Sequence, residues 1–528
     1  MGSKESRAQR ITRRQMLTAM GGAATSVGLA SCGVVVSQSP SHSHKSQVQA
    51  QIKIPPSGAK IPSTPISFGW MDSDDLKAPF EEAVFAAYKR AHGNVSINYD
   101  GTGWDRINQT IPLAVRNGNP PDVFAIPNNV PVQVAVNGGW VAPIEDLVPN
   151  FKSWAARFPP TAFIPGVHIF NGRVYSWPAS SNRRYSFMLF YDAEHMQRAG
   201  YDPTKHRFTW NTFRDACRKI TKQGNGQYYA LMSNDQQPGG LAMELAQLAG
   251  VHGSSFGSNT DPAAFDWRTG TYNYTKPQVQ AAFEQLLAIK SDGSFFPGYL
   301  SLDEASARAR MPQRVAAMIF DGPWDIPKWP QADPTYKFGI ALPPTGNDGR
   351  WHPSAYQETS ANQTWVAAAS KNKVVAGDLF SYMGGIDGQT HMVILSQGNL
   401  QSEITEANER AKTSKLLSPH AKTAVQIANY LMRVAPMVQV RNAQTEQVIL
   451  AQKPLKPSLR DLGQGIMSGQ ITDIKGALKS LQDRSDQNLD QAIKAAQAKG
   501  AKVSRDDWVF PNWDPTKDYT KHDYSGVH

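Results

Sequence analysis

Hydrophobic spacing along the first part of the chain body alternates between strand-like and helix-like patterns. Residues 66–70 (Ile-Ser-Phe-Gly-Trp) predict a strand, and apolar residues at spacings of three and four over 80–91 predict a helix. A second strand is predicted at 95–99, a second helix at 107–115, and a third strand in the apolar run 122–126. Strands that alternate with helices in this way indicate an α/β fold with a parallel sheet and right-handed crossovers.

Ligands of parallel α/β sheets bind at the carboxyl ends of the strands. The loops that begin at Trp70, Tyr99 and Pro127 follow the three predicted strands. We therefore expect these loops to border any pocket of the protein.

The amino-terminal segment 1–31 has the composition of an export signal. Five basic residues precede a mild apolar stretch at 16–30, which is shorter than the roughly 20 residues of a membrane-spanning helix. The pair Arg13-Arg14 resembles a twin-arginine signal, but Met16 stands where that pattern has Phe, so the general secretory route stays open. The segment predicts a signal peptide rather than an anchor helix.

The apolar stretch ends in Leu29-Ala30-Ser31-Cys32-Gly33, which resembles a bacterial lipobox. Cleavage before Cys32 and acylation of its sulfur would tether the protein to the outer face of the cell membrane. Residues 32–65 are rich in Ser, Gln, His and Pro and predict a flexible spacer that gives the folded part reach from the bilayer. His42 and His44 lie in this spacer without a third ligand nearby, which favours a polar tether over a metal site.

Composition and charge exclude several classes of protein. A chain of 528 residues that is 40% hydrophobic predicts two lobes with real cores, and 2 Cys exclude a disulfide framework. The formal charge is +10, of which residues 1–31 contribute +4. The remaining charge is spread thinly and forms no basic helix face, so nucleic acid is not an expected partner.

Several segments, in order, resemble the family 1 extracellular solute-binding proteins of ABC importers, the family of the maltose-binding protein. They include a Pro-Asp-Val strand entry, an Asn-Gly-Arg-Val-Tyr-Ser-Trp-Pro run, a Thr-Trp-Asn-Thr-Phe helix start and an Ala-Met-x-x-x-Gly-x-Trp element. In full, the six similar segments lie at residues 117–123, 171–178, 190–192, 199–201, 209–213 and 316–324. The resemblance extends from about residue 66 to residue 400.

The resemblance implies a two-lobed periplasmic-binding-protein-like fold with a ligand cleft between the lobes. The chain is expected to cross between lobes near 178–187, near 342–344 and near 397–400, and rotation at these crossings closes the lobes over a ligand. The predicted amino-terminal lobe comprises residues 66–182 and 343–396. The predicted carboxy-terminal lobe comprises residues 183–342 and 397–528.

Side chains at the matched positions favour a carbohydrate ligand. A sugar presents CH faces that stack on aromatic rings and hydroxyl groups that need paired donors and acceptors. The chain has 13 Trp, 17 Tyr and 21 Phe, several of them in the loops that the fold places at the cleft. The candidate ligand-binding residues are Trp70, Asp72, Asn128, Arg183, Tyr185, Asp235, Trp324 and Glu358.

Each candidate has a structural alternative. Trp70 and Trp324 are core aromatics in that alternative, Arg183 forms a surface ion pair, Tyr185 is a strand core residue and Glu358 is a solvated loop acid. By the same reasoning Trp210 is a packing residue at a helix start, and Cys217 is a buried structural thiol. Neither is included in the site.

Catalytic signatures give little support to an enzyme. Residues 253–257 (Gly-Ser-Ser-Phe-Gly) fit the letters of the hydrolase pattern but follow a helical run, so we interpret them as a coincidental loop. The sequence contains neither the phosphate-loop pattern of ATPases nor H-E-x-x-H, and no metal or cofactor is expected.

The predicted function is the substrate-binding component of an ABC transporter that delivers a carbohydrate to permease subunits. The protein is expected to be monomeric, lipid-anchored and extracytoplasmic. Two alternatives stay open: a lipid-anchored carbohydrate-active enzyme that uses a pair of carboxylates, and a binding protein of the same fold for peptides or polyamines.

Overall fold

A computed structural model describes residues 52–72, 77–160, 162–252, 254–256, 264–357 and 363–525. For Tyr185 and residues 254–256 it describes the backbone alone. The predictions for the signal peptide, for Cys32 and for Glu358 lie outside the described residues.

Strands are distributed along the whole body of the chain. They are β1 Ile66–Asp72, β2 Val95–Gly101, β3 Val123–Phe124, β4 Ile169–Phe170, β5 Arg173–Val174, β6 Met188–Asp192, β7 Tyr229–Met232, β8 Ser254–Phe256, β9 Phe265–Asp266, β10 Thr271–Tyr272, β11 Ala316–Asp321, β12 Phe338–Ala341, β13 Ser354–Tyr356, β14 Trp365–Val366 and β15 Met432–Val434.

Helices separate most of these strands and make up most of the chain after β14. They are α1 Ala78–Ala91, α2 Trp104–Arg116, α3 Val132–Asn137, α4 Phe151–Ala155, α5 Ala193–Ala199, α6 Trp210–Gly224, α7 Gln237–Gln247, α8 Pro277–Ser291, α9 Glu304–Arg310, α10 Asp325–Ala332, α11 Lys373–Met383, α12 Ile386–Leu395, α13 Thr405–Thr413, α14 Pro419–Leu431, α15 Val438–Arg441, α16 Glu446–Ala451, α17 Leu459–Ser468, α18 Ile474–Ala498 and α19 Lys521–Tyr524. Short 3-10 helices occupy Asn182–Tyr185, Tyr299–Ser301, Ala443–Thr445 and Arg505–Trp508.

The first sheet has the strand order β14-β3-β1-β2. Strand β1 is parallel to β2 and to β3, whereas β14 is antiparallel to β3. Alternate side chains of β1 enter two cores, with Phe68 and Trp70 on one face and Met71 on the other. The predicted order of strand, helix, strand, helix and strand is confirmed.

The second sheet has the strand order β12-β6-β11-β7 and mixed directions. Strand β11 is parallel to β7, and β6 is antiparallel to both β11 and β12. Apolar cores lie on both of its faces. The fold is therefore α/β with two sheet-centred lobes, as expected.

A third, small sheet joins β8, β13 and β15 in parallel. It corrects the prediction of a loop at residues 253–257, because Ser254–Phe256 forms the strand β8. Pairing with β13, about a hundred positions later in the chain, outweighs the polar composition of this segment.

The chain passes between the lobes at positions that partly differ from the prediction. The first crossing leaves the core of the first lobe at Ala179 and enters that of the second at Phe187. Residues 343–357, predicted to follow the second crossing, pack in the second lobe instead, because Thr345 donates to the Leu248 carbonyl oxygen and Ala355 lies in that lobe's core. The third follows Ala411 rather than residue 400, since Leu400, Ile404 and Ala407 pack in the first lobe.

The segment 52–65, predicted to be spacer, lies along the first lobe. Ile52 is buried in its core, and its carbonyl oxygen accepts a hydrogen bond from Arg90. Asn94 donates to the carbonyl oxygens of Pro62 and Thr64. These contacts fix the segment along α1 and the start of β2. None of the described helices combines the length and apolar composition that a membrane span requires.

Candidate ligand cleft

In each sheet, one end of the strands lies on the same side as the crossing segments. We call this end of the sheet its cleft edge. In the first sheet, β1 and β3 end at this edge, and β14 begins there because Trp365 pairs with Phe124. In the second sheet, β11 ends where β6 begins, with Asp321 paired to Met188. The first crossing joins these edges directly. The space between the edges is therefore the candidate cleft.

Asp72, at the end of β1, forms a buried ion pair. The Lys77 ammonium donates to both of its carboxylate oxygens at 2.7 and 2.8 Å. Glu81 is also buried beside them, and burial together with the Asp72 charge raises its pKa well above the usual value. These three residues line a small cavity of about 20 Å³ together with Trp177, just before the first crossing, and Thr364, just before β14.

Trp70 lies in the core, with 1% of its surface exposed. Its ring centroid is 5.0 Å from that of Phe85 and 6.0 Å from that of Phe380. This position favours the packing alternative. Asn128 is exposed after β3, and its backbone amide donates to the Asn108 side chain. It lies at the same sheet edge as Asp72.

Asp235 and Trp324 occupy the facing edge of the second sheet, because they follow the parallel strands β7 and β11. Asp235 pairs with Arg460, with an oxygen to nitrogen distance of 2.8 Å. Trp324 is half-buried, and the Arg308 guanidinium lies 5.0 Å from the centroid of its ring. Arg308 in turn binds Asp321 at 2.7 Å, which fixes the guanidinium beside the indole.

A second carboxylate lies behind this indole. Asp325 is buried, and burial together with the neighbouring Asp321 charge raises its pKa well above the usual value. Arg308 donates to the Asp321 carboxylate and so balances the charge next to Asp325.

Arg183 lies on the first crossing, in the 3-10 helix that Tyr185 ends. Its guanidinium donates to the Tyr356 hydroxyl, the Asn429 side chain and Asp518 at 3.2–3.3 Å. Tyr356 and Asp518 raise its pKa, so the group stays charged. The ion pair with Asp518 is the structural alternative considered for Arg183, and it ties the crossing to the carboxy-terminal segment.

The structure thus brings most of the described candidates to the cleft. Asp72 and Asn128 share one edge, Asp235 and Trp324 share the other, and Arg183 lies on the segment that joins the edges. Trp70 stays in the core. Their roles in binding a ligand remain predictions.

Sequence reasoning missed an aromatic and arginine cluster at the same edge, made of Arg207, Trp351, Tyr430 and Arg433. The Trp351 and Tyr430 rings are 5.6 Å apart, and the Arg433 guanidinium lies 5.1 Å from the Trp351 ring centroid. Arg207 donates to the Pro343 carbonyl oxygen at 2.8 Å. The sequence feature that could have indicated this cluster is a tryptophan, Trp351, within the polar loop after residue 345.

The cluster lies at the cleft edge because of strand register. Ala341, at the end of β12, pairs with Leu189 near the start of β6, so the chain that follows β12 emerges beside the first crossing. Pro343 and the loop to Trp351 belong to that stretch. Arg433 also donates to the Asn429 carbonyl oxygen, and the Asn429 side-chain oxygen accepts a hydrogen bond from Arg183.

Other features outside the cleft are structural. Trp210 is buried at the start of α6, as predicted. Cys217 is buried too, and burial raises the pKa of its thiol. A larger cavity of about 540 Å³ lies on the first lobe between the segment at Pro55 and helices α4, α11 and α12. Within the described part of the chain, no cluster of three His, Cys, Asp or Glu side chains is arranged to hold a metal ion.

Two α/β lobes with crossing segments and a candidate cleft between the sheet ends give the chain a periplasmic-binding-protein-like fold. The family of bacterial extracellular solute-binding proteins matches residues 72–390, and the chain belongs to this family. Among proteins with curated functions, none matches this chain in sequence.

Solved structures with the same fold include receptors for sugars. The GacH receptor of Streptomyces glaucescens, solved unliganded and with acarbose, is 16% identical, with a TM-score of 0.55 over 80% of this chain and 98% of that one. The sugar-binding protein MalE of Xanthomonas citri is 13% identical, with a TM-score of 0.55 over 83% and 100%. Lmo0181 of Listeria monocytogenes, in complex with cycloalternan, is 14% identical, with a TM-score of 0.54 over 81% and 99%.

Proposed function

We propose that this protein is the extracytoplasmic solute-binding component of an ABC importer and that it captures an oligosaccharide between its lobes. The observation that carries the proposal is the set of aromatic side chains at the cleft edge, Trp324, Trp351 and Tyr430. Trp324 and Trp351 each lie beside a guanidinium group, and Tyr430 packs against Trp351. Such neighbours suit the CH faces and hydroxyl groups of a sugar. The sugar complexes of GacH and Lmo0181 support the same ligand class.

Transport follows from closure of the lobes. A ligand that binds both edges stabilises the closed state by its difference in affinity for the two states. The closed surface is then recognised by permease subunits, and ATP hydrolysis by the transporter supplies the energy. The ligand leaves the protein chemically unchanged.

Binding without turnover tests the proposal. Purified protein is mixed with a panel of oligosaccharides while thermal unfolding and new reducing ends are measured. A ligand at a hundred times its Kd is expected to stabilise the protein by about 2.7 kcal/mol, with no reducing ends formed. Turnover would contradict the binding role, and so would the lack of a shift with every sugar.

Substitutions of Trp324 test whether its indole binds the ligand in the same assay. Trp324→Ala is expected to abolish the ligand-induced shift while the unliganded protein stays folded, and Trp324→Phe is expected to retain part of it because an aromatic face remains. If Trp324→Ala lowers only the stability of the unliganded protein, the indole is a packing residue.

The lipid anchor is part of the proposal. Acylation of Cys32 after cleavage of the signal would hold a monomeric protein at the outer face of the membrane, near its permease. Cells fed labelled palmitate are expected to label the wild type and not Cys32→Ala. An unlabelled wild type would contradict the anchor and leave the binding function standing.

A further inference from the structure

The aromatic pair Trp351 and Tyr430 lies near two guanidinium groups, those of Arg207 and Arg433, and these groups have few acidic partners. Tyr430 is 45% exposed at the end of α14, so its ring is accessible at the cleft edge. Arg433 lies over Trp351 on one side. Arg207 lies beside the start of the loop that carries Trp351, because its Nε donates to the Pro343 carbonyl oxygen at 2.8 Å.

Arg433 is held by backbone oxygens rather than by carboxylates. Its Nη1 donates to the carbonyl oxygens of Asn429 and Met432, and its Nε donates to that of Thr516. Its Nη2 makes no hydrogen bond to any other residue that the structure describes. Burial and the neighbouring Arg183 lower its pKa, whereas Asp518 raises it. The guanidinium is thus oriented by the fold and keeps a free donor.

Arg207 has a similar arrangement. Its Nε donates to Pro343, while its Nη2 is shielded from solvent and has no hydrogen-bond acceptor among the described residues. A buried donor without an acceptor is costly, and an anion that supplies the acceptor recovers that cost on binding. Among described carboxylates, neither Arg207 nor Arg433 has an ion-pair partner, whereas Arg183 has Asp518.

Arginine is the side chain best suited to bind carboxylate and sulfate groups, because its planar donors match two oxygens at once. A neutral sugar would leave the free donors of Arg207 and Arg433 paired only with hydroxyl groups. We infer that the ligand is an acidic oligosaccharide, whose carboxylate or sulfate group binds Arg207 and Arg433 while a sugar ring stacks on Trp351 and Tyr430. This inference rests on the proposed function and narrows its ligand class.

The test compares acidic sugars with their own neutral forms. Oligogalacturonate, oligomannuronate and sulfated galactose oligosaccharides are each measured by calorimetry beside their carboxyl-reduced or desulfated counterparts. We expect at least one acidic sugar to bind about ten- to a hundredfold more tightly than its neutral form, with an affinity that falls as salt is added.

Substitutions of the two arginines test whether they bind the acidic group of the sugar. Arg433→Gln and Arg207→Gln are expected to lose that preference. Arg218→Gln is the control, because its arginine pairs with Asp292, directly after α8 and away from the cluster. Two variants are used so that a folding defect in one, detected by circular dichroism, leaves the other to decide.

Each outcome decides a separate claim. Equal binding of the acidic and neutral forms, or an acidic sugar whose affinity both variants retain, overturns the inference while the proposed function stands. The failure of every oligosaccharide, acidic and neutral, overturns both.

Discussion

Replacement of Lys77 by methionine tests the role of charge at the base of the cleft. Lys77 is the cation that holds Asp72, and Asp72 and Glu81 are both buried, with 0% and 1% of their surfaces exposed. Burial and the neighbouring Asp72 charge raise the pKa of Glu81 well above its usual value, and the substitution removes the cation that binds Asp72. Removal of one partner from a buried pair costs about 3–5 kcal/mol. We expect Lys77→Met to lower the free energy of unfolding by that amount.

Urea unfolding followed by circular dichroism measures this loss. Lys89→Met, at an exposed position of the same helix α1, is the control and is expected to change stability by less than about 0.5 kcal/mol. Adding Asp72→Asn to Lys77→Met removes the carboxylate that Lys77 bound and is expected to recover part of the loss. A loss below about 1 kcal/mol for Lys77→Met, or no recovery in the double variant, would refute the reasoning.

Three further predictions concern packing and pH. A methyl group at Gly377 would overlap the Leu147 carbonyl oxygen, whereas one at Gly240 meets open space, so thermal unfolding should show Gly377→Ala destabilised by about 1–3 kcal/mol and Gly240→Ala stabilised by up to about 1 kcal/mol. Burial lowers the pKa of His168 from 6.5 to about 3, so the unfolded chain takes up the proton first and stability falls as pH drops below 6.5. The loss at pH 4.5 is about 2–3 kcal/mol, and urea unfolding of His168→Gln should show a flatter pH profile. Burial raises the pKa of Glu446 from 4.5 to about 7, so its contribution to stability is present below pH 4.5 and lost as pH rises through 7. The free energy of unfolding of Glu446→Gln should therefore exceed that of the wild type by about 1 kcal/mol at pH 8, after allowance for partial exposure. An equal stability at pH 8 would contradict the assignment.

Local patterns predicted the first lobe well because its sheet is built from neighbouring strands. The parallel strands β1, β2 and β3 follow each other with helices between them, so periodicity alone indicates their order. The small third sheet defeats such reasoning, because β13 pairs with β8 and β15 from distant parts of the chain. For the same reason the second crossing was predicted too early.

Candidate site residues were predictable by position along the strands but not by environment. Asp72 and Trp324 do follow strands that end at the cleft, yet Trp70 shares a strand face with the buried Phe68, a period-two relation that already indicated a core position. The partner of Arg183 is Asp518, which lies 335 residues away, so no sequence spacing announces it. Trp351 and Tyr430 likewise meet only through a tertiary contact.

The distance between the two lobes tests the central claim most directly. Spin labels at Lys89→Cys in the first lobe and Lys222→Cys in the second, in a Cys32→Ser background, report that distance by pulsed electron paramagnetic resonance. We predict that the oligosaccharide found in the binding panel shortens the distance and is recovered chemically intact. An unchanged distance with the sugar bound would contradict closure of two hinged lobes over a carried solute.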